Sequence, residues 1–308
     1  MKYLIEMQKS VVTSRATLPL TGLVSVVIWL LFAYGESFQS VFLGLILSAC
    51  SVYLIAELNN SNSLLRNGSR MLSCIATIIL TVIPALHSLS VAHVLMLLYV
   101  LSLFPLFQTT QIPSPFHTFF IYLLISAASI LFPKMLLCVP VYWLSQVYMR
   151  SISLRCFVAS ILAVITPYWI YSAYFIYYDD YASLLRIANA MVDFQLPDYS
   201  SVSIEQLCQY LYLILFLILG VVDFYMNINK DKVKVRFIYA AVIWHSLFWI
   251  LFISLQPQNF YEILPLLIVN TAIVSGHYFA LTYTKVSAMS ALLFVTFTLF
   301  IFLLPYII

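Results

Sequence analysis

Gln206–Leu255 reads QLCQYLYLILFLILGVVDFYMNINKDKVKVRFIYAAVIWHSLFWILFISL: two long apolar runs joined by a short link that carries Lys230, Lys232, Lys234 and Arg236. At about 1.5 Å of helix per residue, each run is long enough to cross a hydrocarbon layer of about 30 Å. The basic link is what a chain places on the cytoplasmic side between two spans. The same pattern recurs on both sides of this stretch. The chain is 64% hydrophobic and 8% charged, with a mean hydropathy of +1.03, so its 308 residues lack the polar surface to cover a soluble globule. The reading is an all-α integral membrane protein, a single polytopic bundle over 1–308. A formal net charge of +3 is too small for a nucleic-acid partner.

Apolar runs broken by polar, proline or charged clusters give eleven expected transmembrane helices, beginning near Leu18, Phe38, Met71, Val91, Phe116, Lys134, Leu154, Gln206, Phe237, Tyr261 and Ser287. Residues 1–17 form an expected cytoplasmic segment ahead of a retained first helix, because no small-residue cleavage site follows a short apolar run. With the N-terminus inside, the cytoplasmic links hold twelve of the fourteen basic residues, leaving Lys134 and Arg186 outside with seven of the eleven acids. The C-terminal LLPYII then lies outside. Between Phe116 and Tyr148 the only break is FPK, and the charge bias favours a hairpin at Pro133 and Lys134.

The longest link is the extracytoplasmic loop 177–205, which opens with YYDD. Leu184, Ile187, Ala188, Met191 and Phe194 recur at helical spacing opposite Ser183, Arg186, Asn189 and Asp193, an expected amphipathic interfacial helix. Asp180 stands at its N-cap position, which leaves Asp179 as the aspartate without a structural role. Ser203 with Gln206 forms a capping box for the next helix.

The five cysteines have neither CxxC spacing nor a histidine at ligand spacing, so they read as core fillers; no metal and no cofactor is expected. None of the six glycines forms GxxxG within a span, so packing by large residues is expected.

AELNNSNSLLRNGSRM (Ala56–Met71) and FPKMLLCVPVYWLSQVYMRSISLRCFVASILAVITPYW (Phe132–Trp169) resemble a family of multi-pass inner-membrane proteins of Bacteroidota classified as a domain of unknown function. Arg150, Ser151, Ser153, Arg155, Pro167 and Tyr168 carry the likeness. It implies an inner-membrane location and supplies no chemistry. Read physically, RSISLR is a tight cytoplasmic turn in which Ser151 or Ser153 can cap the next helix. Arg150 and Arg155, like Lys232, Lys234 and Arg236, can reach lipid phosphates.

Ionisable groups inside a bilayer are costly and therefore informative. Asp223 lies about 9 Å from the cytoplasmic end of its span, and His245 and His277 about 13 and 12 Å from theirs. With Asn270 deeper, they form one expected intramembrane polar cluster able to relay a proton or hold a cation. The ordinary alternative is that each bonds a neighbouring backbone or hydroxyl group. A second constellation faces outward: Glu36, His87, His93, Asp179, Asp180, Arg186 and Glu262. There Asp179 would act as base and Arg186 as phosphate clamp on a polyprenyl-linked glycan. Outer loops also gather acids without catalysis.

Three readings follow. A non-catalytic envelope or assembly component, with the bilayer and other membrane proteins as partners, expects no clustering of these groups. An enzyme acting on polyprenyl-linked glycans expects a wide outer cavity with Asp179 or Asp180, and Arg186. A proton-coupled transporter or permease expects a path through Asp223, His245 and His277.

Overall fold

The computed structural model describes residues 2–31, 37–180, 182, 185, 189 and 196–307. Among them are twelve α-helices and no strand: α1 Lys2–Thr13, α2 Thr17–Leu31, α3 Phe38–Asn62, α4 Met71–Val82, α5 Val91–Gln108, α6 Pro115–Leu131, α7 Val139–Tyr148, α8 Leu154–Tyr177, α9 Ile204–Asn227, α10 Val233–Leu255, α11 Phe260–Leu281 and α12 Lys285–Ile307. Every expected span start falls within four residues of a helical element. Seven of these helices, α3, α5 and α8–α12, are long and apolar enough to cross a membrane. The eleven-span expectation is finer than length supports: α1 and α2 meet at 86°, and α4 and α6 are shorter. Helix α7 has ten residues, about 15 Å; it approaches a bilayer thickness only with the 3-10 segment Pro133–Cys138 before it.

Polar residues set the helix boundaries. Ser37 and Ser153 accept the amide N–H groups of Ser40 and Cys156, and Ser203 with Gln206 makes the capping box read from the sequence. Three ends use a left-handed residue that is not glycine. Ser63, Arg150 and Asp179 have φ of 50°, 55° and 54°. Each time the next residue's N–H reaches five back, from Leu64 to Asn59, Ser151 to Gln146 and Asp180 to Phe175, closing a Schellman motif. Pro133 stops α6 at the expected FPK break. Tyr122 and Thr118 of α6 bond Gln146 of α7 at 3.1 Å each, as an antiparallel hairpin requires.

Helix α11 is the axis of the bundle, buried along its whole length among α4, α5, α9 and α10. Two crossings correct the expectation of large-residue packing. A Cβ on Gly220 would sit 2.8 Å from the Val274 carbonyl oxygen, and one on Gly276 would sit 2.9 Å from Leu72 Cα. Single glycines suffice there because the surface they meet is another helix's backbone, so no GxxxG spacing is needed.

Hydrogen bonds sort the links into two ends. At one end, Gln8 of α1 donates to the Phe279 and Thr282 carbonyls, Asn67 to that of Ala280 and Arg66 to that of Lys230, while Lys234 donates to Asn62 Oδ1. At the other, Leu89 N–H donates to Ser40 Oγ, Lys134 to Gln256 Oε1 and Tyr199 to the Ser254 carbonyl. The links join as the charge reading grouped them. The N-terminal segment holds a helix, α1, that docks on the bundle through Gln8.

Candidate functional site

The intramembrane cluster expected from the sequence divides in two. Asp223 comes from the last turns of α9, His277 from the last turns of α11, and the two line one cavity of ≈ 560 Å³ with Arg66, Asn227, Lys230 and Thr282. Asp223 is held by acceptor-only geometry: Oδ1 accepts from Asn227 Nδ2 at 2.9 Å, and the Thr282 hydroxyl approaches both oxygens at 3.0 and 2.9 Å. Lys230 Nζ continues the chain to Asn227 Oδ1 at 2.6 Å.

The residue that completes this site was not singled out from the sequence. Asp231 sits in the link between α9 and α10, yet its side chain is only 1% exposed. His277 Nε2 lies 3.1 Å from Asp231 Oδ2; facing a carboxylate, that nitrogen carries the proton and donates. On the other oxygen, Arg66 Nε stands 3.1 Å away as an ion pair rather than a directed hydrogen bond. Arg236 secures the link by donating to the Asp231 and Asn229 carbonyls. Arg66 is 40% exposed and also lines a second cavity, ≈ 460 Å³, with Asn59, Ser63, Asp231 and Lys232. The arginine therefore stands between two cavities. His277 Nδ1 is buried without a hydrogen-bond partner among the described residues, and the ring packs against Tyr239 and Phe224. One signal for Asp231 was present: a lone acid among four basic residues in NKDKVKVR.

His245 and Asn270 belong to a different network. Tyr99 donates to Asn270 Oδ1 at 2.7 Å and lies 3.2 Å from His245 Nδ1; Ser145 Oγ lies 3.2 Å from His245 Nε2. Tyr142 packs on the imidazole with centroids 4.4 Å apart, and its hydroxyl meets Ser102 Oγ at 2.6 Å. Four helices contribute to this fully buried layer, which closes the middle of the bundle. No hydrogen bond or ring contact among the described residues joins it to His277. Depth along a helix predicted the burial of both groups; which way each faced around the axis separated them.

At the opposite end only part of the outward constellation falls among the described residues. Glu36 and Arg186 lie outside the described residues, as do Leu184, Ile187, Met191, Asp193 and Phe194 of the expected interfacial helix. Asp179 has the structural role the sequence reading withheld from it, as the left-handed residue ending α8. His87 and His93 are each within 2.9 Å of a backbone carbonyl, of Thr81 and Leu86, and Trp29 stacks on His87 with centroids 4.5 Å apart. Burial holds the His87 imidazole below the usual histidine range. Arg150, Arg155, Lys232 and Lys234 are exposed, as phosphate anchoring requires, whereas Arg236 is engaged in its own link. Cys74, Cys138 and Cys156 are buried core thiols, and among the described residues no group of three His, Cys, Asp or Glu side chains is placed to hold a metal.

These features define a class: an all-helical protein with several membrane-length helices around one buried axial helix. Comparison with known proteins takes it no further, since no protein family, curated protein or solved structure matches the chain.

Proposed function

We propose that this chain is a proton-linked membrane carrier of the transporter or permease class, in an arrangement closed at its centre by the His245–Tyr99–Asn270 layer. The observation that carries this reading is the Asp231–His277 pair, both side chains 1% exposed, on a helix-end site beside a ≈ 560 Å³ cavity. Burying a carboxylate and an imidazole is costly, and their apposition gives the site a titratable group whose partners change with protonation. The assembly reading expected no clustering, and Asp223 and His277 share a cavity; His245, which the transporter reading placed on the same path, lies in the separate central layer. The glycan-enzyme reading loses support because Asp179 has a backbone role. In this proposal the protein makes eleven passes of the inner membrane, with α1 and the 228–232 link cytoplasmic, as the distribution of basic residues favours.

The test is a pH jump on proteoliposomes fused to a solid-supported membrane. A carrier with this site gives a transient proton-binding current without added substrate, and Asp231→Asn loses it. A wild-type protein, correctly folded and oriented, that gives no charge movement overturns the reading.

A further inference from the structure

The geometry points to an oxyanion, a carboxylate or phosphate group, as the ligand that enters with the proton, taken by Arg66 when His277 is charged. This rests on the carrier reading above and names its substrate class. The charged and titratable groups around His277 are Asp223 and Lys230 from α9 and its end, Asp231 from the following link, Tyr239 from α10, Arg66 from the α3–α4 link, and Tyr278 and Tyr283 at the end of α11. Arg70 and Lys285 lie exposed at the starts of α4 and α12. With His277 neutral, Arg66 and Lys230 balance Asp223 and Asp231 around the ring, and Lys232 adds a positive charge on the second cavity beside Asp231. Among the described residues lining this cavity, His277 Nδ1 is a buried basic atom without a hydrogen-bond partner. A proton added there keeps Nε2–H on Asp231 and leaves the four-charge set with one positive charge in excess.

Two features turn that excess into a binding site for an anion. Asp231 then has a charged partner in His277, so Arg66 is no longer needed to neutralise it. Arg66 is also the exposed member, 40% exposed and lining both cavities, while the Asp231 side chain is 1% exposed and its carbonyl accepts from Arg236. Its Nε now faces one carboxylate oxygen as an ion pair, and its planar guanidinium can donate two parallel N–H bonds to a free carboxylate or phosphate. One proton and one anion together restore neutrality. A cation ligand would instead add to the excess charge.

The experiment measures apparent affinity for inorganic phosphate, acetate and sulfate by thermal-shift titration of the purified full-length protein. Total ionic strength is held with sodium chloride, at one pH below and one above the usual histidine range. At least one of these anions binds about tenfold tighter at the lower pH. Arg66→Lys, which keeps the charge and loses the fork, weakens that binding. His277→Gln keeps a donor to Asp231 but takes up no proton, and binds the anion equally at both pH values. Absence of a shift with all three anions overturns the proposal, as does a shift that Arg66→Lys and His277→Gln leave unchanged. If the pH-jump current is present and anion binding absent, the substrate class alone is wrong. If both are absent, the carrier reading falls with it.

Discussion

His277 and Asp231, 46 residues apart in the chain, meet at 3.1 Å with Arg66 on the far oxygen of the same carboxylate. Removing the acid leaves the His277 Nε2–H without its acceptor and Arg66 without its counter-ion. Asp231→Ala should cost about 3 kcal/mol of unfolding free energy, and adding Arg66→Gln should cost little more, so the pair is non-additive by more than about 1 kcal/mol. Denaturant unfolding of the four variants in detergent measures this. Simple additivity would mean that Arg66 and Asp231 do not interact.

The glycine crossings predict opposite responses to the same substitution. Gly276→Ala forces a methyl against Leu72 Cα and should destabilise by about 1–3 kcal/mol. Gly22→Ala meets nothing within 4 Å in α2 and should be neutral or stabilising by up to about 1 kcal/mol. Melting temperatures in one detergent compare them directly. Similar losses at both sites would contradict the close approach of α11 and α4.

Asp179 tests the outward constellation. Its left-handed backbone suits glycine and asparagine, so Asp179→Gly should hold or raise stability by about 1 kcal/mol and Asp179→Val should lower it. Asp179→Asn should leave any cellular phenotype intact. Loss of function by Asp179→Asn at normal protein level would favour the catalytic reading.

His87 predicts a pH dependence. Its folded form resists protonation because it is buried, while in the unfolded chain it titrates near 6.5. The unfolded state therefore binds more protons just below that value. The stability His87 contributes is complete above about pH 6.5 and declines as pH falls toward its depressed folded value. His87→Gln, which can still donate to the Thr81 carbonyl, should flatten the melting-temperature profile in that window. An unchanged profile would assign the acid sensitivity elsewhere.

Sidedness is testable by labelling. In a cysteine-free background, Leu89→Cys and Asn229→Cys, both exposed and at opposite ends of the bundle, should react from opposite faces of the membrane. Impermeant maleimide on intact spheroplasts should reach Leu89→Cys only. Labelling of both positions, or of neither, would contradict the alternation of links.

The starts of the long apolar helices and the links that meet at each end of the bundle were legible from the residues, whereas α1 was not. They depend on local chemistry: apolar length, serine caps, Pro133 and the placement of lysine and arginine. Asp223 and His277 were found in the same way, because an ionisable residue in an apolar run stands out. Asp231 and Arg66 were not, because in a polar link they look like any solvated charge.

What the sequence determined by itself is therefore the class of fold, the order of its apolar helices, and which ionisable groups the bundle must accommodate. What the tertiary structure alone decided is which of those groups meet. Rotation of each helix about its axis set His245 against Tyr99 and Asn270, and His277 against Asp231. The close passage of Gly276 over Leu72 and Gly220 over Val274 holds α11 at the depth where those contacts occur. The physical reason is that hydropathy fixes position along the membrane normal, while azimuth and spacing between helices arise from packing among residues far apart in the chain.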